Sequence, residues 1–216
     1  FGWYGFNPVS TLKFEYMETA SRVAVTTTLG AAAGGVTTLS IHYFLTKSLD
    51  VGPMCNGILA GLVSVTGNCV VVEPWAAALI GLIGGCIYYG SSTLLKKLKI
   101  DDPLDASPVH GFCGAWGVIA AGLFAKQKYV LNDYGCDGGA DHYGAFYGGG
   151  GKQFGNQVVG VLAIVAWVGF TSSLLFGALK VSGFLRVPVE EEEAGLDTSH
   201  HGGNAYNFDK ELAVKA

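Results

Sequence analysis

MCNGILAGLVSVTGNCVVVEPWAAALIGLIGGCIYYGSSTLL, residues 54–95, is the stretch whose reading decides the fold. Met54 to Val72 carries no formal charge, Trp75 to Leu95 carries none, and only Glu73-Pro74 stands between them. A helix needs about 20 mostly apolar residues to cross a bilayer. Inside the hydrocarbon it must satisfy all its own backbone polar groups. Two such windows with so short a break predict a tight hairpin of membrane helices.

The same test passes on both sides of this stretch. Val23 to Phe44 is uncharged, and Val158 to Leu179 is the most apolar window of all. Pro108 to Ala125 is shorter and contains His110, with similar apolar density. The opening FGWYGFNPVS reads as the tail end of one more helix, in a chain that begins inside an aromatic apolar run and so reads as a fragment or processed piece. The expected architecture is all-α, a polytopic membrane helix bundle over residues 1–187. A hydrophilic, acidic tail follows over 188–216.

Composition agrees. Of 216 residues, 50% are hydrophobic and only 14% charged, with 33 glycines. Soluble domains are about a quarter charged and about 7% glycine, and membrane helices tolerate glycine better. A net charge of -4 with no dense basic patch excludes a nucleic-acid partner. Gly30/Gly34, Gly57/Gly61 and Gly81/Gly85 repeat a small-residue spacing one helical turn apart in successive helices. That spacing lets backbones approach in lipid, where packing drives association. Cys55, Cys69, Cys86 and Cys113 lie in apolar stretches and read as buried thiols, while Cys136 sits in a polar loop. No metal centre, cofactor or enzyme constellation is expected.

Several motifs dissolve on inspection. The glycine run ending in Lys152 lacks the earlier Gly of a phosphate loop, since Phe146 stands there, and Gln153 replaces the magnesium-binding Ser or Thr. Asp137, Asp141 and His142 do not follow the calcium-loop spacing. Asn7-Pro8 suggests a water channel, but no second Asn-Pro exists to complete one. The long segment from Lys126 to Gln157 reads as a polar, glycine-rich loop.

His110 differs. A histidine in a membrane helix is costly and faces a cavity or a partner, so it is a functional candidate by default. Its near-neutral pKa suits it to accept a hydrogen bond or exchange a proton. A packed histidine bonded to a neighbouring helix is the competing reading. Asp101, Asp102 and Asp105 surround Pro103 where acidic residues complement a helix N-terminus. Capping is expected of Asp101, and a role in holding the helix start of Asp102 and Asp105. Loop lysines favour a cytoplasmic C-terminus, with Lys47, Lys96, Lys97, Lys99, Lys180 and Arg186 on the inner side.

The residues as a set resemble a known family. DDPLDASPVHGFCGAWGVIAAGLFA, residues 101–125, resembles the signature of the ammonium transporter (Amt/Rh) family. FGWYGFNPVS, residues 1–10, resembles that family's sixth helix, and RVPVEEEEAGLDTSHHGGNAY, residues 186–206, its C-terminal segment. TGNCVVVEPWAAALIGLIGG fits as well, and the long glycine-rich loop is similar to the eukaryotic, plant-like branch. The resemblance implies the C-terminal half of an eleven-helix protein, about six helices, that carries ammonium across the plasma membrane and assembles as a homotrimer when full length. It implies recruitment as ammonium, deprotonation and passage of ammonia, with the proton relayed through pore histidines.

It also implies residue roles. Phe6 matches a phenylalanine closing the outer end of the pore. Ser10 matches the hydroxyl that helps recruit ammonium at the vestibule, and His110 the second of two pore histidines. The other histidine, the second gating phenylalanine and the vestibule tryptophan belong to earlier helices. Pro8-Val9 stands where many members carry small residues. Thr198 and Ser199 lie in the tail that in full-length relatives contacts a neighbouring subunit. Phosphate there would add negative charge beside other acids and displace the tail. A nutrient sensor of the same fold is the rival reading, and an Rh-type gas channel another.

Overall fold

A computed structural model describes residues 1–134, 142–201 and 203. The chain divides into two compact units, Phe1–Ala163 and Ile164–Ala216. Among the described residues regular structure is helical throughout, and four helices are long and apolar enough to cross a membrane.

The first unit opens with a short helix, α1 (Gly2–Phe6), and two single turns. Side-chain bonds to the bundle hold it. The Trp3 indole donates to Thr66 Oγ1 at 2.8 Å, Tyr4 and Thr28 share a hydroxyl contact at 2.6 Å, and Asn7 Nδ2 donates to Thr27 Oγ1 at 3.0 Å. Asn7 is buried by that contact, so the Asn-Pro pair is structural here.

Helix α2 (Met17–Thr46) runs 30 residues. Its hydroxyl residues are accommodated by bonding back one turn, as Thr28 does to the Ala24 carbonyl and Ser40 to that of Val36. It ends at Lys47, whose left-handed conformation (φ 61°) directs its N–H to the Tyr43 carbonyl. Asp50 caps α3 (Val51–Thr66) by accepting from the Gly52 N–H. The window reaching Val72 contains a shorter helix than its apolarity suggests. α3 has 16 residues, rising about 24 Å against a hydrocarbon thickness of roughly 30 Å. Residues 67–73 form the connection instead of Glu73-Pro74 alone. Asn68 stabilises it by donating to the carbonyls of Ser64 and Gly117. Helix α4 (Pro74–Lys97) starts with proline at its first position, where no N–H is needed, and ends with Lys96 and Lys97 against the helix dipole.

The three glycine pairs meet at one place. A Cβ on Gly61 would lie 2.2 Å from the Gly30 carbonyl oxygen, and one on Gly81 the same distance from the same atom. A Cβ on Gly34 would lie 2.4 Å from the Gly57 oxygen. α2 therefore packs backbone to backbone against both arms of the α3–α4 hairpin. Val65, Val72, Ile80, Ala120 and Phe124 form one core cluster, and Ala60, Tyr88, Val109 and Cys113 another. Cys69 and Cys113 are buried, but Cys55 and Cys86 are exposed. An apolar membrane helix has no polar side, so its composition does not reveal which face turns inward.

The segment after α4 enters a π-helical turn, Ser107–Phe112, continued by α5 (Cys113–Phe124). The expected loop from Lys126 contains structure: α6 (Gln127–Tyr134) and a single turn at Ala145–Tyr147. The glycine run is used for loop geometry. Gly148 and Gly150 have φ of 89° and 66°, and a Cβ on Gly149 would lie 2.1 Å from the Tyr143 carbonyl. Asp137 and Asp141 lie outside the described residues. Helix α7 (Lys152–Val181) begins in this unit and packs near Gly122, where a Cβ would lie 2.7 Å from Phe154 Cα.

The second unit contains the rest of α7, which stops at Gly183 (φ 78°) with the Phe184 N–H on the Leu179 carbonyl. Two short helices follow, α8 (Val189–Ala194) and α9 (Leu196–Ser199). Glu190, Glu191 and Glu192 occupy the first turn of α8, where the dipole favours them, and His200 Nε2 contacts Glu191 Oε2 at 2.5 Å. With several helices of spanning length, the chain is a multi-pass membrane protein.

Candidate functional site

Two groups of predicted residues come together, each at its own place in the first unit. The first is at the α3–α4 connection. Phe6 and Ser10 line a cavity of about 170 Å³ together with Thr66, Asn68, Cys69 and Val71. Both residues are exposed, and Ser10 Oγ donates to the Phe6 carbonyl at 2.6 Å. A hydroxyl that donates its proton to a carbonyl presents its lone pairs as acceptors. An exposed aromatic ring adds a face that attracts cations by about 0.5–1 kcal/mol, more when dry. A small cation that only donates hydrogen bonds finds complementary chemistry in this pair.

The second group is the start of the π-turn. Asp102 accepts the Ala106 N–H at 2.8 Å on one carboxylate oxygen and the Ser107 N–H at 2.7 Å on the other. This carboxylate thus satisfies two amides of the helix start. The Ser107 amide is the main cause holding its pKa below the ordinary carboxylate value. Asp102 thus holds the helix start, as expected of it. Asp105 takes the left-handed region at φ 54°, unusual for a non-glycine residue. Its carboxylate accepts from Tyr88 Oη at 2.9 Å and Ser92 Oγ at 2.8 Å, with Lys96 Nζ at 3.9 Å.

His110 rides on this turn. Pro108 and Val109 are buried and His110 is exposed, next to Gly111, where an added Cβ would meet nothing within 4 Å. Pro108 lacks the amide that an α-helical ladder would use, and the wider turn surrounds it. Such π-turns occur often at functional sites. His110 does not line the Phe6–Ser10 cavity. Below the turn, Cys113 Sγ donates to the Gly84 carbonyl and the Trp116 indole to that of Ile80, fixing α5 to α4.

Tyr88, Ser92 and Asn56 escaped the reading of the sequence. Nothing in their local pattern marks them, because their partners come from other helices. Ser199 lies in α9 of the second unit and donates to the Gly195 carbonyl, while the side chain of Thr198 lies outside the described set.

The Ammonium Transporter Family matches residues 1–206. Ammonium transporter 1 member 1 of Arabidopsis thaliana is 43% identical over 227 residues, covering 100% of this chain and 45% of its own length. Ammonium transporter 1 member 3 of Solanum lycopersicum is 44% identical over 225 residues, covering 98% and 48%. Among solved structures, Mep2 of Saccharomyces cerevisiae superposes with a TM-score of 0.78 at 31% identity, covering 88% of this chain and 42% of that one. A structure described as a sensor Amt protein gives 0.78 at 34%, covering 92% and 46%. The chain spans less than half the length of these relatives. With nearly its whole length matched by the family and its relatives named ammonium transporters, the chain belongs to the ammonium transporter family, a family of membrane transporters.

Proposed function

We propose that this chain supplies one half of the conducting path of a full-length ammonium transporter of the plasma membrane, trimeric and with its tail in the cytoplasm. The observation that carries the reading is His110, exposed on a π-turn within a spanning segment and beside Gly111, where an added Cβ would meet nothing within 4 Å. An exposed imidazole at that depth is costly unless it faces a cavity or a partner. Helices from the remainder of a full-length protein would supply that face.

The chemistry supports the same reading. Carrying a bare cation through an apolar passage costs far more than ring contacts return. Shedding a proton and crossing as ammonia avoids that cost, and a neutral imidazole can accept a hydrogen bond from the solute and pass on a proton. Phe6 and Ser10 then serve the outer mouth, and Asp102 and Asp105 hold the helix start. Replacing His110 with Ala in a full-length protein containing this chain lowers ammonium-evoked current roughly tenfold or more, or abolishes its selectivity over potassium. Wild-type flux with wild-type selectivity overturns the role.

Likeness to the sensor Amt protein favours a second reading, in which the same fold reports ammonium through its tail. Ammonium-evoked current in reconstituted full-length protein separates the two, because a pure sensor carries none.

A further inference from the structure

We infer that Tyr88 is a positioning residue for His110, the centre of a hydrogen-bonded relay from Asn56 through Tyr88 to Asp105. Asn56 Nδ2, on α3, donates to Tyr88 Oη at 3.1 Å, and Tyr88 Oη, on α4, donates to Asp105 Oδ2 at 2.9 Å. Ser92, one turn further along α4, donates to the other oxygen of the same carboxylate at 2.8 Å. Asp105 then leads into the π-turn, and its carbonyl accepts the Val109 N–H at 3.0 Å.

Three features make this more than a surface contact. Asp105 sits at φ 54°, a conformation that costs a non-glycine residue energy and persists only when its surroundings hold it. The two hydroxyls that hold it come from one rigid helix. Tyr88 is 3% exposed, and its ring belongs to the same buried cluster as Val109, the residue before His110. One side chain thus joins the two ends of the bend, bonding Asp105 by its hydroxyl and sharing a buried cluster with Val109. Loss of the hydroxyl lets Asp105 relax and the π-turn shift, and with it the direction of the imidazole.

The inference rests on the proposed role of His110, and the experiment separates the two. Tyr88→Phe keeps the ring in the core and removes only the hydroxyl. In full-length protein containing this chain, measured per molecule in the membrane, it lowers ammonium flux roughly threefold to tenfold and lowers the ratio of ammonium to potassium flux. Ser92→Ala does the same more weakly. In a His110→Ala background neither substitution has a further effect, because both act through the imidazole.

A merely structural role lowers the amount of protein in the membrane and leaves the flux ratio where it was, and that result overturns the inference. So does an equal effect of Tyr88→Phe with and without His110. Where Tyr88→Phe fails to reach the membrane, Ser92→Ala and Asn56→Ala carry the same comparison. If His110→Ala itself leaves flux and selectivity unchanged, the role of His110 falls, and the relay's part in transport with it. If His110→Ala acts and the relay substitutions do not, the relay alone is refuted.

Discussion

Glu73 gathers donors from three parts of the chain. Lys126 Nζ and Tyr147 Oη reach its carboxylate from beyond α5, and the Trp75 indole donates to it from the start of α4. The bond from Lys126 is the main cause holding its pKa near 2 instead of 4.5, with Tyr147 next, while burial works the other way. A carboxylate whose folded pKa is depressed contributes stability that is fully present above the unfolded value and disappears as pH falls through the folded one. Thermal stability in detergent is therefore expected to decline as pH drops from about 4.5 toward 2, and Glu73→Gln to flatten that decline. At neutral pH the same substitution costs about 1–3 kcal/mol, seen as a lower melting temperature, because the ammonium and phenol lose a charged acceptor. A melting curve unchanged by the substitution at both pH values counts against this account. The sequence displayed Glu73 as a hairpin corner and nothing more, since Tyr147 lies 74 residues away. The Tyr88–Asp105 bond was hidden for the same reason, spanning two segments that only packing brings together.

Among elements, the α2–α3–α4 contact is decided by glycine. Carbonyl oxygens of one helix approach the Cα atoms of another so closely that no side chain fits. Gly61→Ala would place a Cβ 2.2 Å from the Gly30 oxygen and should destabilise the bundle by about 1–3 kcal/mol. Gly90→Ala, also in a long helix, meets nothing within 4 Å and should be neutral or slightly stabilising. Comparing the two by melting in detergent checks the claim, and equal behaviour would refute it. The spacing of the glycine pairs was legible before any coordinates, and so were the long apolar windows. The end of α3 was not. Apolar residues continue to Val72, but Gly67 and Asn68 turn the chain early because the Asn68 amide bridges to Gly117 on α5, 49 residues on.

For the molecule as a whole, the proposed regulatory role of the tail can be tested through its charge. Ser199 is exposed in α9, next to His200, which contacts Glu191 of α8. Replacing Thr198 and Ser199 with Asp adds negative charge to a segment that already holds Glu190 to Glu193 and Asp197. In full-length protein this should lower ammonium uptake by about fivefold or more if the tail couples to transport. Uptake equal to wild type at equal membrane abundance sinks the regulatory role.

Hydropathy and spacing by themselves determined that this is a helical membrane protein, where four of its long spans lie, that its helices form a close-packed bundle, and that His110 is out of place in lipid. These follow from local chemistry, because burying a backbone or an imidazole in hydrocarbon has consequences that composition alone displays. The tertiary structure decided what surrounds the turn that carries His110: a π-helical turn at Pro108, and an Asp105 at positive φ whose carboxylate accepts from two α4 hydroxyls. It also decided which cysteines are buried and that Asn7 is a bolt to α2. Those facts depend on which faces meet, and an apolar helix without a polar side does not reveal its facing until its neighbours are in place.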